Sequence, residues 1–247
     1  MNPVVGDILS ELHRDLLDEA GRLEYTRRAF GMLPKMNRHD ILDIGCGKGE
    51  PTLELAKLSN GTVTGIDINQ ATLDEFDRKA GELGLSDRVK SMNMSLRDID
   101  FPDRSFDLIW TEGSIFVIGF EKGLREWRRL IRPNGFLVVH EMCWLRPDPP
   151  DEIRLHWEKM YPGICTVKEG VDVVPGCGYH LVGHFPLPDD AWWHLYYKPL
   201  EERIRAFKHK YGDDPKSLAV LDKQQSEVDL YHKHGKWYGS AFFVMQK

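Results

Sequence analysis

Short apolar runs alternate with amphipathic segments along the first part of the chain. Five of these runs have the length of a strand: 40–45, 62–68, 88–92, 106–110 and 136–140. Between them, segments such as 70–83 and 123–131 carry apolar residues at helical spacing, and 132–135 has the composition of a turn. Strands that alternate with helices in this way predict a parallel sheet with helices on both faces.

The two ends of the chain depart from this alternation. Between Asp7 and Leu33 the apolar positions, Leu16 and Leu17 among them, recur at helical spacing and predict one or two helices. After Trp144 the chain is rich in prolines and aromatic residues, and four elements are predicted there: helical segments over 151–160 and 190–231 and strands over 179–185 and 239–245.

Neither a Gly/Ser-rich linker nor an internal repeat divides the chain. We therefore predict a single domain over residues 1–247. Residues 1–33 form its helical lead-in, and 144–178 and 189–235 are insertions that cover the substrate side as a lid.

Composition and charge narrow the class of protein. The hydrophobic fraction of 41% and the charged fraction of 29% are ordinary for a globular protein, and the net charge of −6 disfavours a nucleic-acid partner. The four cysteines have unrelated spacings, Met1 to Arg14 lacks the apolar core of a signal peptide, and no apolar run reaches membrane-spanning length. We expect a cytoplasmic monomer or homodimer with no membrane partner.

A glycine-rich loop follows the first predicted strand. Asp43 is followed by glycines at alternate positions, Gly45, Gly47 and Gly49, which permit a bare backbone to approach a ligand closely. Asp67 ends the second predicted strand, where an acidic residue accepts hydrogen bonds from the two hydroxyls of a ribose. The pattern predicts a nucleotide site.

The residues around the loop select among nucleotides. A dinucleotide fingerprint needs glycine where this chain has Glu50, which disfavours a nicotinamide-dependent reductase. A phosphate-binding P-loop would need Gly-Lys-Ser/Thr, which is absent, and Asp43 would repel a pyrophosphate while suiting an ammonium group. An adenosyl ligand with a cationic amino-acid tail fits these observations.

These residues resemble a known family. Asp43 and the three glycines look like motif I of the class I S-adenosylmethionine-dependent methyltransferases, and Asp67 stands where their ribose-binding acid does. Residues 130–137 resemble the LKPGG turn before their fifth strand, and 101–107 resemble the FPDxSFD entry to their fourth. The nearest branch is type 11, grouped with the ubiquinone-biosynthesis methyltransferases, and the resemblance extends from Tyr25 to the C-terminus. It implies a Rossmann-like sheet of seven strands, mostly parallel with the last antiparallel.

The resemblance also implies which residues hold the cofactor, S-adenosylmethionine. Ser95 stands at the family's adenine-binding position between Met94 and Leu96, and Asp98 replaces it if the loop is shifted. Thr111 and Glu112 end the fourth strand, next to the reactive methyl group. The implied cofactor contacts are Asp43, Gly45, Cys46, Gly47, Gly49, Asp67, Ile68, Met94, Ser95, Leu96, Thr111 and Glu112.

The expected activity is methyl transfer to a small-molecule acceptor, with S-adenosylhomocysteine as product. Glu112 is the candidate catalytic residue, as a general base or as a partner of the methionine ammonium. Glu141 and His140, at the end of the fifth strand, are further candidates, although a strand histidine is often a core residue. The alternatives are a cofactor-binding protein that transfers no methyl group, or a methyltransferase for protein or RNA.

Aromatic residues are concentrated outside the nucleotide half. They either wall a closed, largely apolar substrate pocket or pack the later helices onto the sheet. The histidine pairs at 180 and 184 and at 232 and 234 have no Cys or carboxylate spaced to complete a ligand set, so we expect no metal site. These aromatic residues are Trp144, Trp157, Tyr161, Trp192, Trp193, Tyr196 and Tyr197.

Overall fold

The computed structural model describes residues 3–13, 16, 22–35, 39–212 and 214–247. Parts of the predicted lead-in, Leu17 among them, lie outside the described residues. Within them, one sheet holds seven strands in the order β3-β2-β1-β4-β5-β7-β6. The strands are β1 Asp40–Ile44, β2 Thr62–Asp67, β3 Val89–Asn93, β4 Phe106–Glu112, β5 Ile131–Trp144, β6 His180–Pro186 and β7 Tyr238–Gln246.

The pairing of the strands confirms the predicted fold class. β7 runs antiparallel to its neighbours β5 and β6, and the pairs from β3 across to β5 are parallel. The strand order reverses between β1 and β4, so the loops after these two strands diverge and leave a crevice at the carboxyl edge of the sheet. Ligands of open α/β sheets bind in such a crevice.

Helices cover both faces of the sheet, and most begin where the local sequence favours it. The Asn69 side chain accepts hydrogen bonds from the N–H groups of Ala71 and Thr72 at the start of α4, and Pro51 lies in the first turn of α3. The helices are α1 Pro3–His13, α2 Leu23–Phe30, α3 Glu50–Leu58, α4 Gln70–Glu82, α5 Phe120–Trp127, α6 Asp151–Met160, α7 Val167–Val173, α8 Lys198–Lys210 and α9 Pro215–His234.

Two element predictions need correction. The helix expected over 123–131 begins at Phe120 and ends at Trp127. The turn expected over 132–135 lies inside β5 as an irregular stretch: Ile131 pairs with Phe106 and Phe136 with Leu108, and the intervening Asn134 has a φ of 63°. β5 also continues beyond His140 to Trp144, because β7 pairs antiparallel with residues 136–144 of β5.

The lead-in packs on the later helices rather than standing apart from them. Ile8 and Leu12 of α1 share a buried cluster with Tyr197, Leu200 of α8 and Val228 of α9. The N-terminal helix α1 and the later helices α8 and α9 therefore form one packed group. Among the described residues, no helix is long and apolar enough to cross a membrane.

Candidate functional site

The glycine loop adopts backbone angles that its sequence requires. Gly45, Gly47 and Gly49 have φ angles of 73°, 53° and 81°, in the left-handed region that glycine tolerates. A Cβ atom on Gly45 would overlap Ser114, and one on Gly49 would overlap the ring of Phe76, whereas one on Gly47 would have no heavy atom within 4 Å. Gly45 and Gly49 thus permit close packing, and Gly47 borders open space.

Asp67 joins the end of β2 to this loop. Its Oδ2 accepts a hydrogen bond from the N–H of Gly47 at 3.0 Å, and its Oδ1 accepts one from the N–H of Asn69 at 2.9 Å. These two bonds hold the carboxylate at the carboxyl edge of the sheet. A carboxylate offers about four acceptor sites, so both oxygens keep capacity for further donors.

Asp43 lies beneath the loop and not in its open wall. Its side chain is 2% exposed, and its Oδ2 accepts a hydrogen bond from the Thr52 hydroxyl at 2.6 Å. Burial raises the pKa of this carboxyl to about 7. The expected direct contact between Asp43 and an ammonium group is therefore not what the structure favours.

Two cavities adjoin the loop and share Gly45. The glycine-loop cavity has a volume of about 690 Å³, and the β2–β3 cavity one of about 310 Å³. Of the residues predicted to hold the cofactor, Gly45, Cys46, Gly47 and Glu112 line the glycine-loop cavity. The β2–β3 cavity is lined by Gly45, Asp67, Ile68, Met94, Ser95 and Leu96 from the same prediction. Most of the predicted residues therefore line one or the other of these two neighbouring cavities.

Ser95 and Asp98 are separated by the geometry of the loop after β3. Ser95 lines the β2–β3 cavity, and its hydroxyl accepts a hydrogen bond from the N–H of Arg97 at 3.2 Å. Asp98 is exposed and is not among the residues that line this cavity. The structure thus favours Ser95 over Asp98 at the predicted adenine-binding position.

Thr111 and Gly49 are predicted cofactor residues that lie behind the cavities. The Thr111 side chain is fully buried, and its hydroxyl donates to the backbone oxygen of Ile44 at 2.9 Å. Gly49 precedes α3 with its Cα against the Phe76 ring. Neither residue lines the two cavities, so the structure favours a supporting role for both, and their contact with the cofactor stays a prediction.

Glu112 is held by three side chains. Its Oε1 accepts hydrogen bonds from the Thr26 hydroxyl at 2.8 Å and the Trp110 indole N–H at 2.9 Å, and its Oε2 is 3.2 Å from Arg22 Nη2. The carboxylate side chain is only 2% exposed. A carboxylate engaged in this way is a poor general base, because a proton must displace existing donors. The geometry favours a structural link to the lead-in over the predicted catalytic role.

A third cavity, the apolar cavity, is also bordered by Glu112 and has a volume of about 360 Å³. Aromatic and aliphatic residues from both predicted insertions wall it. Glu112 and Arg22 border this cavity and the glycine-loop cavity, while Gly113 and Phe116 border it and the β2–β3 cavity. The walls include Met142, Trp157, Met160, Tyr161, Leu187, Trp192 and Leu195.

Three of the aromatic residues singled out in the sequence, Trp157, Tyr161 and Trp192, thus line the apolar cavity, and Tyr196 lines the glycine-loop cavity. The other three belong to the cluster between the lead-in and the later helices: Tyr197 and Trp144 are buried in it, and Trp193 packs against it. Both expectations for the aromatic residues therefore hold, for different members of the set.

Glu141 and His140 face this apolar cavity from the end of β5. Glu141 is 4% exposed, and burial raises the pKa of its carboxyl to about 7. His140 is 7% exposed, its Nε2 lies 2.7 Å from the Ser240 hydroxyl, and its ring stacks on Phe242. Burial lowers the His140 pKa to about 4, so the imidazole is neutral at physiological pH.

Four residues of the lead-in that line these cavities were not predicted from the sequence. Arg22 lines both the glycine-loop and the apolar cavity, and Ser10, His13 and Leu16 line the former. No local motif marks these positions, because tertiary packing brings them to the site: α1 packs against α8 and α9, and α2, which follows Arg22, packs against α3 and β7. Among the described residues, no group of three or more His, Cys, Asp or Glu side chains is arranged to hold a metal ion.

Comparisons with known proteins agree with this geometry. Residues 41–135 match a family model described as a methyltransferase domain. A sterol 24-C-methyltransferase of Gibberella zeae is 32% identical over 196 residues, which cover 73% of this chain and 49% of that protein. The 27-O-demethylrifamycin SV methyltransferase of Amycolatopsis mediterranei is 33% identical over 138 residues, which cover 53% of this chain and 50% of that protein. The chain spans about half the length of the curated relatives it matches.

The fold is also found in solved structures. The S-adenosylmethionine-dependent methyltransferase of Geobacter sulfurreducens, solved in complex with S-adenosylhomocysteine, superposes with a TM-score of 0.79 at 21% identity, covering 98% of this chain and 97% of that one. This similarity shows the fold. Together with the family match, it confirms the resemblance that the glycine loop and the flanking turns predicted.

Proposed function

We propose that this chain is an enzyme that transfers a methyl group from S-adenosylmethionine to a small-molecule acceptor. It has the fold of the class I S-adenosylmethionine-dependent methyltransferases, and residues 41–135 match a family model described as a methyltransferase domain. The observation that carries the proposal is the pair of cavities joined at Gly45. Asp67 lines the second of them and is tied by hydrogen bond to the glycine loop. Nucleoside and amino-acid parts of one ligand require such a divided site.

The β2–β3 cavity suits the adenosine part of the cofactor. Asp67 has free acceptor capacity for ribose hydroxyls, and Ile68, Met94 and Leu96 offer apolar contacts to a planar base. The Ser95 hydroxyl is the proposed partner of the adenine amino group. The methionine part then occupies the glycine-loop cavity, where Gly47 leaves space for a ligand to approach.

The apolar cavity suits the methyl acceptor. It shares Glu112 and Arg22 with the glycine-loop cavity, so an acceptor bound there lies beside the methionine end of the cofactor. Methyl transfer from a sulfonium needs alignment and exclusion of water more than acid–base assistance. The insertions at 144–178 and 189–235 are the proposed lid, because Trp157, Tyr161 and Trp192 supply aromatic walls from them.

Small acceptors fit this cavity better than macromolecules do. The relatives named above act on a sterol and on a rifamycin, and an apolar cavity of about 360 Å³ lies in the ordinary range for small-molecule sites. The cytoplasmic location, the monomeric or dimeric state and the absence of nucleic-acid and membrane partners remain predictions from the sequence.

Calorimetric titration with S-adenosylhomocysteine tests the cofactor assignment. We expect micromolar binding to the unaltered protein, no binding of NAD, and at least tenfold weaker binding to Asp67→Ala, since charge-assisted hydrogen bonds contribute about 1.5–3 kcal/mol. Asp74→Ala is the matched control, because Asp74 is an exposed acid of α4. Absence of S-adenosylhomocysteine binding would overturn the proposal, and binding without turnover across an acceptor screen would favour the non-transferring alternative.

A further inference from the structure

The carboxylate of Glu141 is placed where an acceptor molecule would contact it. It lies within β5 in the wall of the apolar cavity, which Trp157 and Tyr161 of the proposed lid also line. Its Oε2 accepts a hydrogen bond from the N–H of Phe116 at 3.0 Å, and its Oε1 accepts one from the N–H of Met142 at 2.7 Å. Two backbone donors fix the group and leave acceptor sites on both oxygens.

The other carboxylate of this cavity and its histidine are already engaged. Glu112 is bonded to Thr26 and Trp110 and paired with Arg22. His140 is neutral and lies within hydrogen-bond distance of Ser240. Glu141 is therefore the carboxylate of the cavity wall that can receive a proton without losing an ionic partner.

The surroundings of Glu141 contain titratable groups but no ionic partner among the residues that the structure describes. Tyr161, Cys143 and Cys165 interact with it from α6, β5 and the loop before α7, and burial raises the pKa of each, so all three are neutral at physiological pH. Arg22, the cation in the wall of the same cavity, is paired with Glu112. An unpaired carboxylate in an apolar wall repels anions and is a ready proton acceptor.

A carboxylate that serves as a base suits only an acceptor that must lose a proton. A neutral amine carries a nucleophilic lone pair before it loses a proton, whereas a hydroxyl becomes a strong nucleophile only as its proton leaves. A buried carboxylate without a cation is useful chiefly to the second kind of acceptor. The apolar walls indicate that the rest of the acceptor is uncharged.

We propose that the apolar cavity binds a neutral, largely apolar molecule through a hydroxyl group, and that Glu141 takes the proton of this hydroxyl during methyl transfer. This inference rests on the proposed function. The hydroxyl oxygen forms a bond to the methyl carbon while the carbon–sulfur bond breaks. The electron pair of the broken bond stays on sulfur, which becomes the neutral thioether of S-adenosylhomocysteine. The hydroxyl proton passes to the Glu141 carboxylate, which later releases it to solvent.

The ionisation of Glu141 gives the proposal a measurable signature. Burial raises its pKa to about 7, so the carboxylate fraction increases steeply between pH 6 and pH 8. A hydroxyl binds an ionised carboxylate more strongly than a protonated one. Affinity for a neutral hydroxylated probe therefore increases with pH across this interval.

The test is calorimetry on the protein saturated with S-adenosylhomocysteine, with 2-naphthol as the neutral probe and 2-naphthoate as its anionic counterpart. We expect 2-naphthol to bind about fivefold to tenfold more tightly at pH 8 than at pH 6. At pH 8, 2-naphthoate binds at least tenfold more weakly than 2-naphthol. The comparison of the two probes needs no variant and so does not depend on how a substitution affects folding.

Glu141→Gln removes the pH step and retains affinity for S-adenosylhomocysteine within about twofold. Glu152→Gln is the matched control, because Glu152 is a carboxylate of α6 that pairs with Lys233 and His234 outside the cavity, and it keeps the step. Equal affinity for the two probes, no binding of 2-naphthol, or a pH step that survives in Glu141→Gln would each overturn the inference while leaving the proposed function standing. Failure of the unaltered protein to bind S-adenosylhomocysteine would overturn the proposed function itself.

Discussion

The proposed cofactor side and the proposed acceptor side of the crevice are built in different ways. The cofactor side consists of loops at the ends of β1, β2 and β3, where backbone angles and backbone hydrogen bonds determine the shape. Gly45, Gly47 and Asp67 are examples. The acceptor side consists of side chains brought together from distant parts of the chain, such as Phe116, Glu141 and Trp192.

This difference explains what each side tolerates. A loop shaped by glycine conformation admits few substitutions, because a side chain there meets either a steric barrier or the ligand itself. An apolar wall is defined by volume and shape, and similar walls arise from many combinations of residues. We therefore expect substitutions on the cofactor side to abolish function or folding and substitutions on the acceptor side to alter acceptor choice.

The largest effect is expected from Gly49→Ala. Its Cβ would overlap the Phe76 ring at a φ of 81°, which combines a backbone cost with overpacking. We expect the free energy of unfolding to fall by about 3 kcal/mol, measured by chemical denaturation. Gly47→Ala, at a φ of 53° with open space beside it, should lose only about 1 kcal/mol but weaken S-adenosylhomocysteine binding. Equal destabilisation by the two variants would contradict this view of the loop.

Glu141 makes the stability of the acceptor side depend on pH. Its pKa is raised by burial from 4.5 to about 7, so its contribution to stability is fully present below about pH 4.5 and is lost as the pH rises through about 7. Relative to Glu141→Gln, the unaltered protein should lose about 3 kcal/mol of unfolding free energy across this interval. Denaturant unfolding of both proteins at several pH values checks this. Parallel stability curves would show that Glu141 does not titrate as described.

Arg22→Met breaks the link between the two sides. Glu112 would keep its hydrogen bonds to Thr26 and Trp110 but lose its ionic partner in a largely buried position. We expect a loss of about 2 kcal/mol in unfolding free energy, below the 3–5 kcal/mol typical of a broken buried pair because Arg22 is partly exposed. In the double variant Arg22→Met/Glu112→Gln, the second substitution removes the uncompensated charge. Glu112→Gln should therefore lower the free energy of unfolding less in the Arg22→Met background than in the unaltered protein. Strict additivity in this double-mutant cycle would show that the pair is not coupled.

Trp192→Phe is expected to have the smallest effect. It removes the hydrogen bond from the indole N–H to the Ser240 hydroxyl, 3.1 Å long, and keeps an aromatic wall. Such a bond contributes about 1 kcal/mol, and we expect a loss of this size in unfolding free energy with unchanged affinity for S-adenosylhomocysteine. Titration of Trp192→Phe with S-adenosylhomocysteine is the decisive measurement. A large loss of affinity would mean that the proposed cofactor and acceptor sides are not separate.

The same contrast explains what could be predicted from the sequence. The strands, the glycine loop and the place of Asp67 at a strand end were predicted correctly, because their signals are local: short apolar runs, alternate glycines, and an acid after an apolar run. Asp43 and Thr111 were expected to contact the cofactor, but their side chains are buried and bonded to Thr52 and to the backbone of Ile44, since whether a polar residue faces a cavity or a neighbouring group depends on packing. Arg22 was missed because it reaches the site through the packing of α2 on α3 and β7, which no local motif records. The turn over 132–135 was absorbed into β5 as an irregularity, which a pattern of apolar residues does not reveal.

A crystal structure of the protein with bound S-adenosylhomocysteine tests most directly whether the crevice is divided in this way. We predict that the ribose hydroxyls donate hydrogen bonds to Asp67 and that the adenine lies beside Ser95. The sulfur atom should face the apolar cavity that Glu141 lines. A ligand whose sulfur faces away from that cavity, or whose adenosine lies outside the β2–β3 cavity, would contradict it.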